Sequence, residues 1–367
     1  MEIRKIDNII YKIIESRIIP EPDLKSMISE GEIRELLVET ENILSQEPIL
    51  LRINAGIQIV GDLHGNVDDL LRIFDMKGYP PETNYIFLGD YVDRGNCALE
   101  IVVLLFALKL KYPQSIYMIR GNHETEQISE YYGFYSEVDR KYEGSLFYHF
   151  HTVFKSLPIA AIIGSRIFCV HGGISPKLPH LSEFEKMEKP HDIESQSLFL
   201  DLLWSDPVDI DQPFAPNDRG CGQFYGQQAL DDFLNQNGLQ LLIRSHEMCE
   251  HGYFYPYKNS DRCLTIFSST DYCGRTNKGC VLTVTKNLNV SVDVFVTLTP
   301  DEKKSRRVVF PVWLSDIMAE EVKSKVELLN GPHEPEPNSE IDLIKSKEGT
   351  NTIITHEENS NFINYLL

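Results

Sequence analysis

The sequence predicts an α/β (α+β) fold, with a parallel sheet covered by helices and a second sheet after it, and three observations carry that expectation. Between residues 57 and 120, β-type runs alternate with helical stretches in the order strand, helix, strand, helix, strand, the pattern of parallel strands joined by crossover helices. After residue 263 the helical spacing gives way to closely spaced β-type runs joined by polar turns, as further paired strands require. The third is an anomaly: in "YIFLGDYVDRGNCALEIVVLLFALKLKYPQSIYMIRGNHE" (85–124) two buried runs stop abruptly at glycine beside Asp90 or Asn122-His123-Glu124.

Taken in order, residues 1 to about 50 carry helical spacing, first Ile6, Ile9, Ile10, Ile13 and Ile14, then, past the break at "IIPEPD", Ile33, Leu36, Leu37 and Ile43. "IQIV" is a strand ending in "GDLHGN", and "VDDLLRIFDMKG" is a helix with a closing glycine. Strand "YIFL", helix "CALEIVVLLFALKLKYP" and strand "SIYMI" follow. Two later runs end like the first three, "RIFCVHGG" at 166–173 and "LQLLIRSHE" at 239–247, with a loop-rich stretch containing "LLWSDP" and "NDRGCGQFYG" between them. "CLTIFSS", "GCVLTVT" and "NVSVDVFV" form the second sheet, and "PVWLSDIMAEEVKSKVELL" has helical spacing. From Gly331, Pro, Glu, Asn and Ser dominate, the composition of a disordered tail. The expected organisation is a helical lead-in (1–50), a main α/β domain (51–300), a C-terminal helical extension (301–330) and the tail (331–367).

The formal net charge of -20 leaves no global attraction for nucleic acid or an anionic membrane, so any phosphate recognition must come from a local cluster of cations or metal. Seven cysteines, at 97, 169, 221, 249, 263, 273 and 280, form no C-x-x-C pair. They read as reduced core residues of an intracellular protein, and a cytoplasmic location is expected, with the nucleus as a second compartment. "MEIRKIDNIIYKIIE" lacks the apolar region of a signal peptide. "IVVLLFALKL" is too short to span a bilayer and reads as a buried helix; no membrane insertion is expected.

Five strand ends together present Asp62, His64, Asp90, Asn122, His123, His171 and His246. In a parallel sheet such ends are where ligands bind. Carboxylate, imidazole and amide oxygen together suit Mn, Fe or Zn better than Mg or Ca. An Asp using both oxygens can bridge two ions about 3.5–4 Å apart, which activate a shared water. Taken singly, each motif could be a strand-to-loop turn and each histidine a core residue; what argues against that is their shared place in the topology. Asp62 and His64, two apart, point to one side in extended backbone. Arg94 in "DYVDRG" and Arg219 in "NDRGCG" sit beside glycine. They could pair with Asp93 and Asp218, or form a local anion site, since Arg grips phosphate oxygens bidentately.

These residues resemble the phosphoprotein phosphatase family of serine/threonine phosphatases. Its blocks G-D-x-H-G, G-D-x-V-D-R-G and G-N-H-E stand at Gly61–Gly65, Gly89–Gly95 and Gly121–Glu124, and the similarity continues through "YGFYSEV", "LPIAA", "FCVHGGISP", "LLWSDP", "RSHE" and "TIFSSTDYCG", over about residues 30–300. The resemblance implies the calcineurin-like metallophosphoesterase fold, a central mixed β-sandwich flanked by helices. It implies two divalent metal ions per chain, Mn or Fe/Zn, with Asp62, His64 and Asp90 matching the ligands of one and Asp90, Asn122, His171 and His246 those of the other. His123 matches the general acid and Asp93 the carboxylate that orients it. Arg94 and Arg219, helped by Asn122, match the phosphoryl-binding groups, and Tyr272 a tyrosine overhanging the site. The implied reaction is hydrolysis of phosphoserine and phosphothreonine by direct in-line attack of a dimetal-bound hydroxide.

The loop usually written S-A-P-N-Y is here Ser268-Ser269-Thr270-Asp271-Tyr272, which adds a carboxylate near the entrance and puts inhibitor sensitivity in doubt. "RSHE" and "RCLTIFS" are closer to the type-5 and EF-hand-bearing branches, "PIAA" and "YGFY" to the type-1 subunit. That subunit docks regulatory peptides in a groove whose matching positions are Ile167, Leu241, Tyr255, Leu288, Val290 and Val292. The last three alternate along one strand and share a face, which either packs into the core or receives regulatory or targeting subunits. "VWLSDIMAEEVKSKVELL" is similar to the calcineurin helix that binds an EF-hand partner, although its charges favour packing on its own domain. Two competing readings are a metallophosphoesterase acting on a nucleotide or dinucleoside polyphosphate, against which "LLWSDP" and "TIFSSTDY" argue, and a dead scaffold, which would lack a ligand; none is missing.

Overall fold

The isoleucine spacing at the start of the chain folds into α1 (Ile3–Glu15), with Ile6, Ile9, Ile10, Ile13 and Ile14 all buried, and a short α2 (Leu24–Met27) follows. These and all later elements are taken from a computed structural model, which describes residues 1–19, 22–178, 180–304, 308–320 and 352–354. The described residues divide into two compact units: Met1 with 29–297, and 2–28 with those from 298 onward.

In the larger unit, α3 (Glu30–Gln46) starts at a capping box formed by Ser29 and Glu32, which satisfies two otherwise orphaned N–H groups. It buries Ile33, Leu36, Leu37 and Leu44; Ile43 is only half-buried, so the apolar stripe ends one residue later than its spacing predicts. The strands and helices then run β1 (Leu50–Ile53), β2 (Ile57–Val60), α4 (Val67–Lys77), β3 (Tyr85–Phe87), α5 (Ala98–Lys111) and β4 (Ile116–Met118). Next come α6 (Glu126–Tyr132), α7 (Phe134–Lys141), α8 (Ser145–Lys155), β5 (Ala160–Ile163), β6 (Ile167–Val170), α9 (Leu181–Phe184) and α10 (Leu198–Trp204). The unit is completed by β7 (Asp206–Pro207), β8 (Phe214–Pro216), β9 (Gln223–Tyr225), α11 (Gln227–Gln236), β10 (Leu241–Arg244), β11 (Tyr253–Phe254), β12 (Cys263–Ile266), β13 (Gly279–Val284) and β14 (Val290–Phe295).

Three mixed sheets form from these strands, a small one ordered β7-β9-β8 and two larger ones. Of the larger two, one is ordered β14-β13-β2-β3-β4, the other β1-β5-β6-β10-β12-β11. β2, β3 and β4 pair in parallel as the alternating pattern predicts, while β13 adds to β2 antiparallel. The sequence predicts the strands of 57–247 in one sheet and those after 263 in another; the structure deals them differently. β6 and β10 join β12 in the six-stranded sheet, and β13 and β14 join the five-stranded one. Periodicity marks where a strand is but not which edge it finds, since pairing is decided by contacts far apart in the chain.

Alternation along each strand separates two cores. On β6, Ile167 and Cys169 enter a cluster with Ile59, Ile86, Ile243, Leu264 and Leu282, drawn from both sheets. Phe168 and Val170 face the other way, into a cluster with Leu202 of α10 and Leu230 and Phe233 of α11. α5 is buried along nearly its whole length, as its unbroken apolar sequence predicts.

α3 packs against α5 and α8. α3 therefore belongs with the larger unit, which runs over 29–297. In the smaller unit, α12 (Pro300–Lys304) and β15 (Val308–Phe310) precede a 3-10 turn at Val312–Leu314, which leads into a helix over 315–320. Tyr11 of α1 lies 5.4 Å from Phe310. The rest of the helix predicted to run to residue 330 lies outside the described residues, as does the tail except for β16 (Thr352–Ile354), paired with β15. Among the described residues no helix is long and apolar enough to cross a membrane.

Candidate metal centre

The glycines that end the strands are demanded by crowding. A Cβ on Gly89 would stand 2.4 Å from the amide nitrogen of Gly121, and one on Gly121 would stand 2.3 Å from Asp90 Oδ1, distances no real side chain tolerates. The loops after β3 and β4 thus touch, and only because neither carries a side chain there. The loops after β2, β3 and β10 are bent into left-handed backbone at His64 (φ 42°), at Asp90 (54°), Asp93 (71°) and Arg94 (68°), and at His246 (71°) respectively. Each such conformation costs on the order of 1–3 kcal/mol and persists only where surroundings over-determine it, most often at functional sites. His64 therefore reaches the side of Asp62 through a left-handed turn, not through the extended alternation the sequence suggests.

Asp62, His64, Asp90, Asn122, His123, His171 and His246 are all buried and converge. His64 Nε2 lies 3.5 Å from Asp62 Oδ2 and 3.4 Å from Asp90 Oδ2. On the other side of Asp90, its Oδ1 lies 3.4 Å from His171 Nε2. Asn122 Oδ1 is 2.8 Å from His171 Nε2 and 2.9 Å from His246 Nδ1, and those two nitrogens are 3.2 Å apart. Two groups able to hold an ion result, His64 with Asp90 and His123, and Asp90 with His171 and His246; Asp90 belongs to both.

The donor set fits a pair of cations. Asp62 Oδ2 is buried without a hydrogen-bond partner, a state that is costly unless something else compensates it. Turned over, the Asn122 amide would donate toward both imidazoles and both Asp90 oxygens, four acceptors for two hydrogens; an ion at the same point serves all of them. Electrostatics agree. Burial raises the Asp90 carboxyl, but His171, His123 and His64 outweigh it and hold it well below the carboxylate range. Burial, His171 and Arg219 keep His246 below its ordinary value, hence neutral and free to ligate. His64 is disfavoured by burial but lifted well above its ordinary value by Asp62 and Asp90, as expected where carboxylates crowd a nitrogen that a cation would otherwise occupy.

Each ring is also aimed from behind. His64 Nδ1 meets the carbonyl of Val92 at 2.8 Å and His171 Nδ1 that of Leu88 at 2.9 Å, the outer contacts that orient a ligating imidazole. His123 differs: its Nδ1 lies 2.5 Å from Asp93 Oδ2, while its Nε2 stands 3.9 Å from Asp90 Oδ2. The other oxygen of Asp93 accepts the N–H of Phe134.

With both oxygens engaged, Asp93 does not pair with Arg94, whose guanidinium lies over the Tyr132 ring at 3.9 Å. Arg219 pairs with Asp206 at 2.6 Å, not with its neighbour Asp218. Tyr272 stands 5.0 Å from the His64 ring and 5.1 Å from Phe267.

Five supporting residues escape sequence reasoning, although each lies in a motif already quoted. Glu124, fully buried, accepts N–H groups from Asp90, Tyr91 and Gly121 at 2.8–2.9 Å, tying the second motif to the third. Ser245 donates to Asp62 Oδ1, which also accepts the His246 N–H. Asp206 bridges Arg219 and the wholly buried Arg244, which further bonds Glu247. An unpaired-looking charge beside a ligand motif was the available signal.

The six positions matched to a peptide groove lie against the core to different degrees. Leu241, Leu288, Val290 and Val292 are half-buried against the between-sheet core that contains Ile167. Tyr255 is 45% exposed, its ring 6.3 Å from that of Tyr253 in the same cluster.

Comparison with known proteins places this geometry. The family model for calcineurin-like phosphoesterases matches residues 57–250. A protein serine/threonine phosphatase from Saccharomyces cerevisiae, described as similar to human phosphatase PP5, is 28% identical; the match covers 74% of this chain and 91% of that one with a TM-score of 0.69. A cold-active protein tyrosine phosphatase shares the fold at 15% identity, covering 68% of this chain and 82% of its own, with a TM-score of 0.50. A family match over more than half the chain, on the residues that build the cluster, makes this protein a member of the calcineurin-like phosphoesterase family.

Proposed function

We propose that the chain is a serine/threonine protein phosphatase that hydrolyses phosphoserine and phosphothreonine by direct in-line displacement at phosphorus. The observation that carries this reading is His123 held on Asp93 at 2.5 Å, with its other nitrogen facing Asp90 across the cluster. An alkoxide is a poor leaving group, so an enzyme that expels one needs a proton donor placed at the departing oxygen. Likeness to the yeast serine/threonine phosphatase supports the same substrate class.

In this reading Asp62, His64 and Asp90 hold one divalent ion and Asp90, Asn122, His171 and His246 the other, and Mn or an Fe/Zn pair suits their mixed nitrogen and oxygen set. When bound, the two ions supply an activated water and neutralise phosphoryl charge. Arg94, Arg219 and Asn122 grip the phosphoryl oxygens, and Tyr272 covers them. His123 donates from Nε2 to the leaving oxygen while Asp93 keeps Nδ1 occupied, a contribution of about 10²–10⁴ in rate. Partners in this reading are phosphoprotein substrates and regulatory or targeting subunits, the latter seated on Ile167, Leu241, Tyr255, Leu288, Val290 and Val292.

The test is the purified, Mn-loaded protein assayed side by side on a phosphothreonine peptide, a phosphotyrosine peptide and a dinucleoside tetraphosphate. Preference for the phosphothreonine peptide is expected; preferential cleavage of the dinucleotide rejects the reading.

A further inference from the structure

Residues 268–278 cross from β12 in one sheet to β13 in the other and bring Tyr272 to the metal-ligand loops. Both ends of the crossing are fastened. Ser268 Oγ accepts the Gly61 N–H at 2.8 Å, and the Ser268 N–H donates to the carbonyl of Asp62. Asn277 Oδ1 accepts the Tyr272 N–H at 2.8 Å, while its Nδ2 donates to the carbonyl of Ser269.

Between those ends a third attachment involves none of the ligands. Thr270 donates its backbone N–H to Asp69 Oδ2 at 2.6 Å, and Asp69 is only 2% exposed. Asn66 Nδ2 donates to the same oxygen at 2.6 Å and to the Thr270 carbonyl at 3.3 Å, while Asn66 Oδ1 accepts the Asp69 N–H as the N-cap of α4. A closed ring of hydrogen bonds thus joins the crossing loop to the helix start directly after "GDLHG". Keeping a carboxylate there is unfavourable: burial pushes Asp69 up to about 6, with Asp68 adding to the rise and Thr270 and Arg72 opposing it. Helix capping alone does not call for it, since Asn66 already caps α4.

The bond depends on a departure from the family pattern. In S-A-P-N-Y the residue at the place of Thr270 is proline, which has no N–H to give. We propose that Asp69 is a positioning residue: through the Thr270 N–H it holds the crossing loop down, so that Tyr272 stands against His64 and sets the width of the entrance offered to a phosphopeptide. This rests on the peptide-phosphatase reading above for its consequence, but not for the latch itself.

Hydrogen exchange over 268–278 reads the latch without turnover. Losing a hydrogen bond to a charged group should speed exchange of that segment by about 10- to 100-fold in Asp69→Asn and in Thr270→Pro. On a phosphothreonine peptide KM should rise several-fold, while p-nitrophenyl phosphate, which meets the loop only where Tyr272 covers its phosphoryl group, should show a clearly smaller loss. The double variant should be no worse than either single one, as for two ends of one bond. Thr270→Ala keeps the N–H but gives up the hydroxyl's own contact with Asp69, and should fall well short of the losses in Asp69→Asn and Thr270→Pro. Unchanged exchange in both single variants overturns the proposal, as does an equal loss in Thr270→Ala or an equal loss on both substrates. A parent enzyme that cleaves p-nitrophenyl phosphate but no phosphopeptide rejects the function while the exchange result still decides the latch.

Discussion

The two larger sheets contribute unlike chemistry to the point where they meet. Strand ends of the five-stranded sheet bring Asp62, His64, Asp90, Asn122 and His123, that is, both carboxylates of the cluster and the proposed proton donor. Those of the six-stranded sheet bring two imidazoles, His171 and His246, and Arg244 of its β10 pairs with Asp206 of the small β7-β9-β8 sheet, which in turn pairs with Arg219. The supports are unequal too. Loops of the first sheet brace one another through Glu124 and its three N–H donors. On the second, His171 leans on the Leu88 carbonyl and the His246 N–H on Asp62 Oδ1, both belonging to the first. Support also runs the other way, since Ser245 Oγ accepts the Asp62 N–H and donates to Asp62 Oδ1; what sets the five-stranded side apart is that it holds Asp90, the residue shared by both groups able to hold an ion, so damage there should cost both ions.

The largest effect should come from Asp90→Asn, because Asp90 alone belongs to both ligand groups. Elemental analysis should show both ions lost together with activity, whereas His171→Ala should lose only one. An Asp90→Asn protein that keeps both ions and full turnover would end the asymmetry. Next in size, His123→Ala should lower kcat on a phosphothreonine peptide by about 10²–10⁴ with both ions retained. The loss should be smaller on p-nitrophenyl phosphate, whose phenolate leaves without needing a proton; equal losses would deny His123 its role as acid.

Asp206→Asn probes the six-stranded side. It leaves Arg244, wholly buried, without one of its carboxylates, a change that typically costs about 3–5 kcal/mol. Burial raises the Asp206 carboxyl, but Arg244, His246 and Arg219 together hold it below the usual carboxylate range. A depressed carboxylate contributes stability above its unfolded pKa of about 3.9 and loses it as pH falls toward the folded value. Denaturant melts should therefore show the gap between parent and variant widest near neutrality and closing below about pH 4. A gap that is constant with pH would remove the ion pair from the account.

How much of this could be read beforehand follows the same divide. Asp62, Asp90 and Asn122 were visible because each ends a local β-type run at a crowded glycine, a constraint written into neighbouring residues. His171 and His246 were visible as residues, but not as members of another sheet, since strand partnership is settled by contacts across the chain. β1 and β5, four residues each with every β5 residue buried, show no alternation to detect. The pairings of Arg94 with Asp93 and of Arg219 with Asp218 looked natural from adjacency and do not form, because Asp93 is consumed by His123 and Phe134 and Arg219 finds Asp206 instead. Asp69 was hidden for a similar reason: on α4 it reads as one more acidic residue of a first turn, and only folding sets it against Thr270.

The smallest expected effect lies on the loop that joins the two sheets. Asp271 is exposed, with a left-handed φ of 52°, and one carboxylate oxygen accepts the Thr276 N–H. Its charge faces solvent beside Tyr272, so its influence on an approaching peptide is a screened surface interaction of about 1 kcal/mol or less. Asp271→Asn should therefore improve kcat/KM on phosphopeptides with acidic flanks by no more than about fivefold, with the gain fading as salt shortens the reach of the charge. Peptides with neutral flanks should not respond. A gain of equal size on neutral flanks, or one indifferent to salt, would mean that the residue acts through loop shape, and would place it with the Asp69 latch rather than with the electrostatics of the entrance.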